Sequence, residues 1–198
     1  MKMNSANLTT LFLLLAVCKT AGADQLTIPV EVPTPRHYLD ERGFTHVEIR
    51  GFLNRGRPGS PALPSRIMPV LLPPGHEVVK VEVRPGDQLP LPGIHTIYPL
   101  QKRYPPSHTG PREFTEPDPQ IYLARGAFPS SIGKAQAPQY KRGFMILPVA
   151  VRPVIYSPAS GRVSWIPVVD ILVTTRQREK EDTVKTATAV PRARFRGF

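Results

Sequence analysis

The sequence predicts an all-β domain, a β-sandwich-like arrangement of short antiparallel strands. Three observations carry this. Residues 77–84 (EVVKVEVR) alternate apolar and charged side chains with a period of two. The 25 prolines fall among β-branched runs rather than in one block, and interior prolines break long helices by removing a hydrogen bond and clashing with the preceding turn. No helical apolar period runs through the chain after its leader.

The N-terminus reads as an export signal. Lys2 supplies a thin positive start, Leu8 to Val17 are apolar except for Thr9 and Thr10, and Ala21-Gly22-Ala23 offers small residues before Asp24. That order is the one of a secretory signal, with cleavage expected after Ala23. The apolar core is too short for a spanning helix, so the mature chain is expected to carry no integral membrane span. An uncleaved anchor is the alternative. A lipidated Cys18 fits less well, because Val17 is bulky where a small residue is normal. The expected destination is the periplasm or the exterior. Cys18 is the sole cysteine, so the mature chain has no disulfide, thiolate metal site or cysteine nucleophile. Its roughly 175 residues must rest on a hydrophobic core, for which that length suffices. Losing Lys2 and Lys19 lowers the formal charge from +11 to +9. The cations are scattered rather than striped, which argues for general surface character and against nucleic-acid binding.

Residues 24–44 read as an extended lead-in with Pro29, Pro33 and Pro35. The main domain is expected over 45–175. In 45–52 (THVEIRGF), Val47 and Ile49 share one face and Glu48 and Arg50 the other, as in a half-buried strand. Residues 54–66 form a turn-rich loop, Ile67 to Leu72 a short strand, and Pro73-Pro74-Gly75 a turn. In 77–84, Val79, Val81 and Val83 are expected inward. A turn at 85–87 precedes a short strand, Ile94 to Tyr98. Residues 101–119 are rich in proline, serine, threonine, glycine and charge, without apolar period. That is long for a plain connection and marks a protruding functional loop. Residues 143–156, as one strand or two broken ones, and the returning 162–175 form a hairpin about the turn 157–161, with Val163, Trp165, Val169, Ile171 and Val173 on one face. Pro148, Pro153 and Pro167 cannot donate to a ladder, so bulges, gaps or edges are expected there. Residues 176–198 lose the pattern and read as a charged flexible tail or linker.

The chain lacks the marks of several chemistries. No glycine-rich phosphate loop follows a strand, and no Gly-x-Ser-x-Gly elbow occurs. His37, His46, His76, His95 and His108 show no metal-ligand spacing and read as surface or loop residues. Glu113, Glu116 and Asp118 lie in the polar loop and read as solvating it. No catalytic residue, metal or cofactor is assigned. The domain is expected to act by binding.

Several motifs recur in a known order. Gly59-Ser-Pro-Ala-Leu-Pro64, with Gly59, Pro61 and Pro64 as its fixed points, is followed by a Pro-Pro-Gly turn and the valine strand. Then come Pro99, the polar loop, Tyr122, the Phe128-Pro129 step and Arg142-Gly143. Last is Pro153-Val-Ile-Tyr-Ser-Pro-Ala-Ser-Gly161, a hairpin marked by Pro153, Tyr156, Pro158 and Gly161. Over residues 56–175 this resembles the N-terminal propeptide of gingipain-type (C25 family) cysteine peptidases. The resemblance implies a β-sandwich-like domain that packs on the peptidase, assists its folding and keeps it latent. It also implies that a basic residue on the long loop occupies the specificity pocket. Arg103 is the first candidate by position and Lys102 the second. A planar guanidinium suits such a pocket because it pairs two-pronged with a carboxylate.

The family's catalytic domain has no counterpart in this sequence, so the implied partner, a C25-type cysteine peptidase, is met in trans or in a longer precursor. Two other readings remain open. One is a secreted β-sandwich that binds a glycan or an envelope component, which would present exposed aromatics away from the loop. The other is attachment to an anionic surface through the basic tail.

Overall fold

The computed structural model describes residues 23–178. The expected signal up to Gly22 and most of the expected tail lie outside the described residues. Among the described ones no helix is long and apolar enough to cross a membrane. The chain runs β1 (Ala23–Glu31), β2 (Arg36–Leu39), β3 (Thr45–Glu48), β4 (Leu53–Asn54), β5 (Pro64–Leu71), β6 (His76–Pro85) and β7 (Leu89–Leu91). A single helical turn, α1 (Pro119–Tyr122), precedes β8 (Gly133–Ala135), β9 (Gln139–Lys141), β10 (Phe144–Val151), β11 (Val154–Ser157), β12 (Arg162–Trp165) and β13 (Val168–Gln177).

The strands form small antiparallel sheets. Their orders are β1-β13-β6, β4-β5-β10-β8 with β9 also on β10, β11-β12-β7, and the pair β2-β3. One apolar core joins them, with Val30, Val47, Val70, Leu91, Val149, Val154, Val163 and Ile171 all buried in it. β13 lies between β1 and β6, and Val169, Ile171 and Val173 lose all contact with water. Burying such side chains stabilises the fold by about 1.5–3 kcal/mol each before the entropy cost.

Prolines decide where strands change sheet. Pro153 separates β10 from β11, and Pro167 separates β12 from β13. Only β11 and β12 pair, so the long hairpin expected over 143–175 is a hairpin at its tip alone. Below the two prolines, β10 joins β5 and β13 joins β1 and β6. Ile166 N–H donates to Pro153 O at 2.9 Å and Val32 N–H to Pro167 O at 2.8 Å, so both carbonyls stay satisfied at the divergence. Pro148 sits inside β10 opposite Pro69 of β5. Its carbonyl accepts from Gln136 N–H at 2.9 Å, between β8 and β9. A strand residue points its nitrogen and carbonyl to the same side, so the missing donor faces this gap and the β5 ladder is unharmed.

Other expectations shift. β1, expected as a lead-in, is a full edge strand, with Val30 opposite Val169 and Ile28 opposite Ile171. Its prolines hid the alternation of Leu26, Ile28 and Val30, and an edge strand tolerates Pro29. Val79, expected inward, is 56% exposed. The register on β13 jumps from Lys80 opposite Thr174 to Val78 opposite Thr175, so Val79 is the extra residue of a β-bulge and Val78 takes its inward place. The strand expected at 94–98 is reduced to one parallel bridge, Thr45 to Ile97, beside a newly formed β7. Arg176 and Gln177, expected in the tail, continue β13.

Candidate functional site

Residues 101–118 leave the core between the Thr45–Ile97 bridge and α1, with no helix or strand of their own. The loop is nevertheless tied down at its base. Gly59 N–H donates to Leu100 O at 2.8 Å, and Asp118 N–H donates to Gly59 O at 2.9 Å. One residue therefore holds both legs. It does so at φ +84°, where a Cβ would also press within 3.1 Å of Glu116 O, so glycine is required for conformation and for space. Pro61 bridges Pro99 alongside, and Leu100 N–H donates to Ser60 O at 2.7 Å. Pro64 opens β5. The Gly59–Pro64 motif is thus the platform of the loop.

Above this base Gln101 closes the neck. Its side-chain Nε2 donates to Thr115 O at 3.2 Å and Pro99 O at 2.8 Å, while its Oε1 accepts from Thr115 N–H at 2.8 Å. The amide imitates one rung of a β-ladder. Lys102 N–H adds a contact to Thr115 Oγ1 at 3.2 Å. On the outgoing leg, Asp118 caps α1 through Gln120 N–H at 3.0 Å and pairs with Arg57 at 2.9 Å. This carboxylate, expected only to solvate the loop, fixes it. Tyr122 Oη donates to Ile97 O at 2.7 Å, and burial, with Tyr156 beside it, pushes the phenol above its ordinary value.

Phe114 docks the outgoing leg on the body of the domain. Its ring centroid lies 6.0 Å from those of Phe44 and Tyr98, and the Arg42 guanidinium covers it at 4.1 Å. The aromatic layer continues through His46, stacked on Tyr98 at 4.2 Å and on Tyr38 at 4.9 Å. His46 contacts Asp40 at 3.1 Å. Burial would raise the Asp40 carboxyl, but hydrogen bonds from Phe44 N–H, His46 and Arg42 N–H outweigh it and hold the group below the usual carboxylate range.

Between neck and socket, Lys102 and Arg103 are exposed. Lys102 leans on the Tyr104 ring at 5.4 Å, and Tyr104 stacks on His108 at 4.3 Å. Arg103 has no ion-pair or hydrogen-bond partner among the described residues. The two candidates line a concavity of about 540 Å³ with Arg42, Tyr98, Arg112 and Phe114.

The hairpin motif lies elsewhere, as scaffold. Pro153 ends the β10 ladder, and Tyr156 is buried, exchanging two 2.7 Å backbone bonds with Phe128. Pro158 opens a tight turn closed by Gly161 at φ +63°. A Cβ on Gly161 would meet Ile94 Cγ2 at 2.5 Å and the His95 backbone at 3.2 Å. His95, expected as a surface or loop residue, lies in a loop and is buried, with Nε2 donating to Pro92 O at 3.0 Å. Ala23, the expected cleavage point, pairs with Arg176 at the end of β1.

With this geometry in view, five chains of solved structures match, and two of them show the relation. One, described as structural insight into the zymogenic latency of gingipain K from Porphyromonas gingivalis, superposes with a TM-score of 0.62 at 20% identity, covering 78% of this chain and 88% of that one. The other, a complex of Porphyromonas gingivalis RgpB pro- and mature domains, gives 0.56 at 15% identity, covering 78% and 80%. The chain has a gingipain-propeptide-like fold. No family model and no curated protein matches the sequence. Within the propeptide fold, sequence reasoning missed Gln101, Phe114 and Arg42. Phe114 carried a signal, as the only large apolar side chain in the polar run 105–118. Gln101 carried none, because its partners are backbone groups at Pro99 and Thr115.

No group of three or more histidines, cysteines or carboxylates that would hold a metal occurs among the described residues. Another concavity, about 730 Å³, runs along Arg36, Glu48, Arg50 and Phe52 rather than at the loop.

Proposed function

We propose that the chain is an exported, non-catalytic propeptide-like domain that binds a gingipain-type cysteine peptidase, holding it latent or assisting its folding. The observation that carries this is the loop. On a fold shared with structures described through zymogenic latency and a pro–mature complex, the exposed Arg103 stands on a segment fixed at both legs. A fixed loop loses little freedom on binding, and such preorganisation favours affinity. Arg103 enters the specificity pocket as a substrate side chain would, with Lys102 as second choice. The partner is met in trans or within a longer precursor.

The test is inhibition of mature RgpB and gingipain K by the purified domain. Arg103→Ala should weaken inhibition of a responsive peptidase by about 30-fold, corresponding to an anchor worth about 2 kcal/mol. Absence of inhibition of both at micromolar concentration rejects the reading.

A second reading, a glycan- or envelope-binding module, draws on one observation. At the Leu71 end of β5, Leu71, Tyr140 and Phe144 are 58%, 62% and 53% exposed, far along the sheet from Pro64 and the loop base. It requires binding to cell-envelope material that is lost in Tyr140→Ala with Phe144→Ala and kept in Arg103→Ala.

A further inference from the structure

We propose that Arg42 and Arg112 flank Arg103 as a cationic contact for an acidic rim around the partner peptidase's specificity pocket; this rests on the function proposed above. Several described cations pair with carboxylates, among them Arg57 with Asp118, Lys80 and Arg84 with Glu82, and Arg178 with Glu77. The cations at the exposed part of the loop and its socket do not. Arg42 rests on the Phe114 ring and Lys102 on the Tyr104 ring, while Arg103 and Arg112 have no carboxylate in ion-pair reach among the described residues.

All four cations line the same concavity of about 540 Å³, against a single carboxylate, Glu113. A ring fixes a guanidinium in place without neutralising it, whereas a carboxylate would do both. At Arg42 and Lys102 the surface therefore keeps its charge and gives up little side-chain freedom on docking. Like charges on one concavity repel at low salt, and an acidic partner relieves that repulsion. Arg103 and the two flanking arginines border one concavity. Insertion of Arg103 into a pocket therefore brings Arg42 and Arg112 to its rim. The rim that fits carries at least two carboxylates. Charges at such a rim act mainly on encounter, whereas the inserted side chain acts mainly on dissociation.

The experiment follows association and dissociation of the domain with mature RgpB and gingipain K at about 0.05 M and 0.5 M salt, a range across which exposed charges become screened. The association rate should fall about tenfold or more between the two salts. Arg112→Glu should slow association about tenfold at low salt, flatten the salt dependence and leave dissociation within about threefold. Arg42→Gln should act in the same direction but less. Arg103→Ala should chiefly accelerate dissociation. Arg112 has no partner to lose, and an unchanged melting temperature of Arg112→Glu checks its folding.

Salt-independent association, or Arg112→Glu associating at the wild-type rate, overturns the inference even where Arg103→Ala weakens binding. Failure of the wild-type domain to bind either peptidase removes the underlying function as well. Binding to heparin that is lost in Arg112→Glu, with salt-insensitive peptidase association, reassigns the surface to a polyanion and also overturns the proposal.

Discussion

The Gln101→Ala substitution isolates the neck of the loop. It removes three hydrogen bonds, two donated by Nε2 and one accepted by Oε1, from a half-buried site. At about 0.5–1 kcal/mol net each, given partial access of water to the freed groups, the loss is about 1.5–3 kcal/mol. Gly59 still ties both legs below, and Phe114 still docks above, so the cost falls on local opening of the loop. A protease must draw an extended segment into its cleft, and cleavage then follows the population of the opened form when reclosing is fast. The reduction corresponds to about 10- to 150-fold faster trypsin cleavage after Lys102 and Arg103. The assay is limited proteolysis under native conditions, with cleavage sites read by mass spectrometry and global stability followed in urea. Equal cleavage rates in Gln101→Ala and wild type would refute the claim that this amide closes the neck. A large fall in the urea midpoint with no change in site preference would place the residue in the global fold instead.

Gly59→Ala should destabilise by about 1–2 kcal/mol from its left-handed backbone alone, with more from the Glu116 carbonyl, and denaturant melts against Gly43→Ala, whose Cβ meets nothing, separate the two contributions. The bulge predicts that Val79→Lys leaves stability within about 0.5 kcal/mol, whereas Ile171→Ala costs about 2–5 kcal/mol; equal losses at both positions would contradict the register. The Asp40 carboxyl is held below its unfolded value, so its contribution is fully present above about pH 4 and is lost as pH falls through the lower folded value. Asp40→Asn should therefore remove part of the acid sensitivity of the melting temperature below pH 4, and an unchanged acid limb would argue against those hydrogen bonds.

Local pattern made much of the fold legible. Alternation placed Val47 and Ile49 on the buried face and Val169, Ile171 and Val173 in the core. Prolines that cannot donate marked the places where ladders end, and the structure uses Pro153 and Pro167 for that purpose. The same reasoning failed at Val79, because a bulge is chosen by the partner strand and leaves the sequence of β6 unbroken. It also failed at β1, where Pro29, Pro33 and Pro35 resemble a linker until β13 supplies the other half of the ladder. In the site, the cations Lys102 and Arg103 and the loop that bears them were visible as a polar run. The socket for Phe114 was not, since Phe44, Tyr98 and Arg42 are distant in the chain.

Period and composition record which side of a strand meets water and where a backbone donor is missing, because each residue carries that information alone. The sequence therefore determined the strand-rich class, the breaks at Pro153 and Pro167, and an exposed basic loop after Pro99. Partnership is a property of two segments at once, and many pairings bury the same valines equally well. Only the folded chain decided that β13 lies between β1 and β6, that Gly59 holds residues 100 and 118 together, and that an amide at Gln101 fixes the distance between the legs from which Arg103 is presented.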